Sequence, residues 1–173
     1  MKNKLQTRMY VLVNSSLGPI NKGIQALHAV VEYGIEHPTE EYQQWATEDK
    51  TVIVLDGGTS NSDIESMDSH TVISYVGDIE NFGKILVERF GIKIAQFREI
   101  DLNNCLTAIA FIINEKIYNY EKYPDYIDLK SDYDEDLPNK SLYDSEEHYI
   151  SNWLGGEDNA KLREFLKHFK IAL

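Results

Sequence analysis

Cysteine is the scarcest residue here. A single one, Cys105, in 173 residues leaves no internal disulfide and fits a reducing compartment, so the cytoplasm is the expected location. Long apolar runs are missing too, and no window approaches the roughly 18 uncharged apolar residues of a membrane span. Lys2, Lys4 and Arg8 ahead of Met9–Val13 imitate a secretory signal, but the apolar stretch is too short and no small-residue cleavage site follows. There is no glycine-rich phosphate loop, nucleophile elbow or zinc-ligand spacing. The five histidines are scattered, with no two at i, i+3 or i+4, so neither a metal nor a cofactor is expected. Positive charge is also in deficit: 17 Lys and Arg stand against 29 Asp and Glu, a net −12. Such a balance repels phosphate backbones, which lowers the expectation of a nucleic-acid substrate without removing it, since a local basic groove is compatible with it. The deficit is concentrated in residues 114–150, where eleven acids meet four lysines and seven of the eleven tyrosines.

What the chain does contain is organised around Arg8–Pro38. Met9–Val13 is β-branched and aromatic, the right length for a buried strand, and Asn14-Ser15-Ser16 and Gly18-Pro19 break it. Pro19 suits the first turn of a helix. From Ile20 the apolar residues fall at 20, 24, 27, 31 and 34/35, a stripe expected to pack inward. Asn21, Gln25, His28 and Glu32, spaced +4, +3, +4, form a polar ridge along one edge of the same helix. A ridge that starts at a strand-to-helix turn lies where α/β proteins place their sites, although a solvated face would have the same spacing.

Further along, Thr39 predicts an N-cap for a short helix through Tyr42 and Trp45. Thr51–Leu55 reads as a strand ending at a turn, Asp56-Gly57-Gly58, and Thr59–Ser69 reads as a solvated loop. His70–Val76 is a third strand candidate. Asp78 caps a helix with apolar residues at 79, 82, 85, 86 and 90, closed by Gly91. Ile92–Phe97 and the nearly all-apolar Leu106–Ile113 are the last strands. Alternating elements of this kind predict a single α/β domain: a three-layer sandwich with a mixed four- or five-stranded sheet and helices on both faces. Its core is residues 8–113, an acidic tyrosine-rich excursion occupies 114–156, and a C-terminal helix occupies 157–170. In that helix Leu162, Phe165, Leu166 and Phe169 share one face, with Lys161, Arg163, Lys167 and Lys170 elsewhere. It docks on the core or mediates a dimer.

The candidate chemistry sits at two polar knots. One is the ridge on the first helix. The other is Arg98-Glu99-Ile100-Asp101-Leu102-Asn103-Asn104, between two apolar strands, which reads either as a hairpin connection or as an ion-paired scaffold for a polar ligand. Thr107 opens the buried strand beside it. Gln25, His28 and Arg98 are expected to converge on one pocket at an end of the sheet, with Asn104 nearby.

LVNSSLGPINKGIQALHAVVEY resembles the first strand and helix of the type-two peptidyl-tRNA hydrolases, the archaeal and eukaryotic kind. Gln25-Ala26-Leu27-His28-Ala29 matches the family's Gln-x-x-His-Ala, and Leu17 matches its loop leucine. Phe97-Arg98-Glu99 and Leu106-Thr107-Ala108-Ile109-Ala110 are similar to its closing strands, most of all in small phage-encoded members. The resemblance covers about residues 8–113. It implies hydrolysis of the ester joining a peptide to the terminal ribose of tRNA, by a lysine on the first helix, an acid after the third strand and a threonine on the fourth. Carried over, the acid is Glu99 or Asp101 and the threonine is Thr107. The lysine position, seven before the histidine, is Asn21, with Lys22 next to it but about 100° round the helix. The family's loop Arg-x-Asp is replaced by Asn14-Ser15-Ser16. Three functions are therefore in view. The first is an esterase acting on peptidyl- or aminoacyl-tRNA. The second is a non-catalytic binder that sequesters a small nucleotide-like ligand, working in a host cytoplasm if the protein is phage-encoded. The third is an inhibitor of a protein partner acting through the acidic residues 118–150. A homodimer and the absence of membrane association complete the expectations.

Overall fold

A computed structural model of the chain describes residues 4–60, 78–123 and 157–172. The candidate strand His70–Val76 and most of the acidic excursion lie outside them. The described residues fall into two compact units, one holding residues 7–60, 78–112 and 168–172, the other residues 4–6, 113–123 and 157–167.

The first unit is built on strands β1 (Thr7–Val13), β2 (Val52–Asp56), β3 (Ile94–Glu99) and β4 (Cys105–Asn114). They form a four-stranded sheet in the order β2-β1-β4-β3. β1 and β2 are parallel, with Met9 opposite Val52 and Val13 opposite Asp56. β3 and β4 are antiparallel, Ile94 opposite Phe111, and a register shift falls between Phe97 and Arg98. β4 also runs against β1: the Asn14 amide donates to the Thr107 carbonyl at 2.9 Å, while further along the Tyr10 and Phe111 rings stand 5.9 Å apart. The carboxyl ends of β1, β2 and β3 and the start of β4 therefore share one edge of a mixed sheet. Residues 106–113 of β4 are all buried, as their unbroken apolar run predicts for a strand covered on both faces.

Helix α1 (Pro19–Glu36) begins with proline at its first turn, and α2 (Glu40–Gln44) is capped by Thr39, whose hydroxyl accepts from the Tyr42 amide at 3.2 Å. A π turn over Trp45–Asp49 follows and ends on Lys50 in the left-handed region. Its Asp49 carboxylate takes both the amide and the hydroxyl of Thr7 at 2.8 Å, fastening the turn to the start of β1. Helix α3 (Ile79–Glu88) is capped by Asp78, which accepts from the Glu80 amide. Gly91, at φ +62, lies just beyond its end.

Gln96 and Phe97 are consecutive in β3 and so point to opposite faces of the sheet. The α1 side chain His28 stacks on Phe97 with ring centroids 4.5 Å apart. On the other face α3 comes so close that a Cβ at Gly83 would stand 2.8 Å from Ile109 Cδ1 and 3.5 Å from Gln96 Nε2. Helices on both faces of the mixed sheet are consistent with an α/β sandwich. Residues 170–172 run along β2 at the edge of the sheet. The Lys170 carbonyl accepts from the Asp56 amide, and the Ala172 amide donates to Val54, so backbone groups an edge strand would leave open are partly paired.

One expectation is reversed. The stripe Ile20, Ile24, Leu27, Val31 and Ile35 faces outward, with exposures of 80, 45, 68, 58 and 68%. The buried face of α1 carries Lys22, Gln25, Ala26, Ala29 and Tyr33 instead. Small alanines let the helix approach β1 and β3 closely, which large aliphatics would prevent.

In the second unit, helix α4 (Glu115–Tyr118) starts at Asn114, whose side chain accepts from the Lys116 amide. Helix α5 (Glu157–Lys167) buries Ala160, Leu162 and Phe165. Arg163, expected away from the apolar face, is also buried. Its guanidinium donates to the carbonyls of Lys116 (2.7 Å), Ile117 (3.0 Å) and Tyr123 (2.6 Å), and the Tyr120 ring covers it at 4.4 Å. Two of these carbonyls belong to α4, a helix too short to satisfy its own acceptors.

Candidate functional site

Two polar groupings occupy the shared edge of the sheet. The first is centred on Asp56, the last residue of β2. One carboxylate oxygen accepts from the Ser15 hydroxyl and, at 3.0 Å, from the Gly58 amide. The other stands 3.9 Å from Lys22 Nζ, an amine whose side chain is only 11% exposed. The Ser15 amide donates to the Gly58 carbonyl at 2.8 Å, tying the loop after β1 to the loop after β2. Gly57 is tightly enclosed, since a Cβ there would lie 3.0 Å from Leu12 Cβ and 3.2 Å from Ile79.

The second grouping runs through Gln25. Thr107 Oγ lies 2.8 Å from Gln25 Oε1 and 3.1 Å from the Phe97 carbonyl, its one proton serving either acceptor. Gln25 Nε2 then donates to Glu99 Oε2 at 2.9 Å. Gln25 therefore bridges β4 to the end of β3. Lys22 and Gln25, three residues apart, are neighbours on the same helix face, so the cationic and carboxylate-ended groupings stand side by side.

Asn14 closes the loop end of β1. Its Oδ1 accepts from the amide and hydroxyl of Ser16, and its Nδ2 donates to the Leu106 carbonyl at 3.2 Å. Nearby, Cys105 Sγ lies 2.8 Å from Ser60 Oγ.

The sequence candidates separate accordingly. Lys22, Gln25, Glu99 and Thr107 are brought together. Asn21, in the position corresponding to the family lysine, is exposed, whereas Lys22 turns inward. The convergence of Gln25, His28 and Arg98 does not occur. His28 lies flat on Phe97, while Arg98 turns to Glu80 of α3 at 3.3 Å and to the Asn104 carbonyl at 3.3 Å. Strand alternation is the cause: Phe97 and Glu99 face α1, so Arg98 between them falls with Gln96 on the face covered by α3. Asp101 and Asn104 are exposed in the turn joining β3 to β4, with Asn103 and Asn104 at φ +53 and +59.

Sequence reasoning passed over Asp56, which reads as a turn before two glycines, and Ser15. The available signal was position: an acid closing one parallel strand and a hydroxyl just past its neighbour meet at the carboxyl edge. Chemically, the cluster offers a largely enclosed amine, a carboxylate acceptor at Glu99 and hydroxyl and amide groups between them. Thr107 is fully buried, and its hydroxyl meets Gln25 rather than solvent. Among the described residues, no group of three His, Cys, Asp or Glu side chains is arranged to hold a metal ion, and no helix is long and apolar enough to cross a membrane. No protein-family model matches this sequence, and no curated protein matches it.

Proposed function

We propose that the polar edge of the sheet is an ester-hydrolysing site of the type-two peptidyl-tRNA hydrolase kind, acting on the acyl ester of peptidyl- or aminoacyl-tRNA. The observation that carries this reading is the inward turn of Lys22 beside the Thr107–Gln25–Glu99 chain. That arrangement supplies, one residue along the helix, the cation that Asn21 lacks. In this reading Glu99 orients the attacking water, Lys22 stabilises the negative charge that develops on the ester oxygen, and Thr107 holds Gln25 in place. Asp56 pairs with the amine and keeps it aimed. The α/β sandwich and the residues at its strand ends support a sheet of that family's type.

The test is release of the acyl group from an N-acetyl-aminoacyl-tRNA. Removing one transition-state cation or donor typically costs about a hundredfold in rate. Lys22→Met and Glu99→Gln are each expected to slow hydrolysis by about that factor while remaining folded. A wild-type protein that releases no more acyl group than the double variant refutes the reading. A second reading is favoured by the net charge of −12, which opposes tRNA. In it the same edge sequesters a small nucleotide-like ligand without turnover, and the ligand is recovered unaltered after heat release.

A further inference from the structure

The outward stripe on α1 is the largest feature that this reading leaves unused. Ile20, Ile24, Leu27, Val31 and Ile35 follow one another at steps of four, three, four and four residues. At about 100° per residue they fall within an arc of about 80°, opposite the face that packs on the sheet. This is the narrow seam of a helix paired with another helix, rather than the broad face of one lying on a globular core. With exposures between 45 and 80%, they present the equivalent of about three whole aliphatic side chains, or about 600 Å².

We infer that this seam is a self-association surface on which α1 packs antiparallel against α1 of a second copy. Two such surfaces bury about 1,200 Å², the lower end of the range for a specific stable interface, whereas one left open stands at the upper limit of the apolar patches found on monomers. The seam is also self-complementary about a twofold axis beside Leu27. Ile20 then faces Ile35 of the other copy, and Ile24 faces Val31, so every large side chain finds another. Charge favours the antiparallel sense. The first turn of α1 contains no acidic residue and its last turn no basic one, while Glu32 and Glu36 lie in the C-terminal half. Antiparallel packing brings those carboxylates toward the positive end of the neighbouring helix; parallel packing aligns the two dipoles and sets Glu32 at the same level as Glu32.

The experiment uses the full chain. Sedimentation equilibrium at roughly 1–100 µM, the range that separates weak from stable pairs, is expected to give a dimer for the wild type. Leu27→Glu, which sets two carboxylates at the axis, is expected to give a monomer whose melting temperature no longer depends on protein concentration and equals that of the wild type diluted to monomer, because Leu27 makes no part of the core. In a Cys105→Ser background, Leu27→Cys is expected to cross-link to itself on mild oxidation, whereas Ile20→Cys links only when mixed with Ile35→Cys. A wild type that stays monomeric throughout, leaving the seam to some other partner, overturns the inference. So does a dimer that survives Leu27→Glu. Self-linking of Ile20→Cys without that of Leu27→Cys rules out the antiparallel sense.

Discussion

Replacing Gln25 with leucine tests whether the chain from Thr107 to Glu99 organises the edge of the sheet. The substitution keeps the side-chain size and removes two hydrogen bonds, one neutral and one to a carboxylate. Neutral bonds contribute about 1 kcal/mol net, and those to charged groups about 1.5–3 kcal/mol. Neither partner is left stranded. Thr107 turns to the Phe97 carbonyl, already 3.1 Å away, and Glu99 is part-exposed and meets water. The desolvation penalty that often multiplies such losses is therefore largely avoided, and the cost is about 2–3 kcal/mol. For a chain of this length that is a fall of about 4–12 °C in melting temperature. Urea unfolding followed through Trp45 in a Trp153→Phe background reads the first unit, because Trp45 is buried there with its indole N–H on the Thr51 carbonyl at 2.8 Å. The midpoint is expected to fall without a change in slope. Thr107→Val alone should cost about 1 kcal/mol, and the double variant less than the sum by about 1 kcal/mol, the coupling of one neutral bond. A Gln25→Leu cost below about 0.5 kcal/mol, or strict additivity with Thr107→Val, refutes the bridge.

Tyr33 gives the pH dependence. Burial, reinforced by the nearby Glu41 carboxylate and opposed by a backbone hydrogen bond at Ile112, pushes its phenol up to about 12. The folded state thus disfavours the phenolate. Its contribution is fully present below about pH 10 and is lost as pH rises toward 12, at most about 3 kcal/mol in all. Absorbance at 295 nm should show one tyrosine ionising only with unfolding, and Tyr33→Phe should flatten the stability curve between pH 10 and 12; an unaltered curve contradicts the assignment. Arg163→Met removes three donors from buried carbonyls and is expected to destabilise the second unit by about 3 kcal/mol or more. Arg163→Lys should recover little, since an ammonium cannot reach three acceptors set for a planar fork. Amide exchange of α4 and α5 is the readout, and protection unchanged in Arg163→Met refutes the role.

Most of the elements were legible because each carries its own local chemistry. Thr39 and Asp78 are caps whose side chains accept the amides expected of them, and the unbroken apolar run of β4 announces a strand buried on both faces. The sidedness of α1 was not legible. Its period was plain, but a reading that gives weight to large aliphatics puts Ile20, Leu27 and Ile35 inside, whereas close packing on β1 and β3 selects Ala26 and Ala29. Arg98 was misplaced for a different reason: alternation along β3 puts it on the face opposite Phe97 and Glu99, and the sequence alone does not say which of the two faces α1 covers. Arg163 was misread because its acceptors, two on α4 and one at Tyr123, lie 40 to 47 residues away in sequence, and backbone carbonyls leave no trace in side-chain identity.

The same inversion of α1 links the site to the surface. A helix that buried its large aliphatics would have no room for an amine and an amide against the strand ends. Here the inward face is lined with alanines except where Lys22 and Gln25 reach the polar edge and where Tyr33 packs further along. Because the aliphatic residues are on the other side, the sheet-facing side is free to carry polar groups that meet the carboxyl ends of β2 and β3, Lys22 by an ion pair with Asp56 and Gln25 by a hydrogen bond to Glu99. Sequestering those groups costs desolvation, which the hydrogen bonds offset; leaving the seam in water costs apolar exposure, which a second copy would remove. Substitutions on the two faces should therefore separate cleanly. Changes at Lys22 or Gln25 should alter activity or stability at fixed oligomeric state, and changes at Leu27 should alter the oligomeric state at fixed stability of the monomer. If Leu27→Glu instead lowers the melting temperature of a chain that is monomeric throughout, the seam belongs to the packed interior and the division of α1 into two independent faces is wrong.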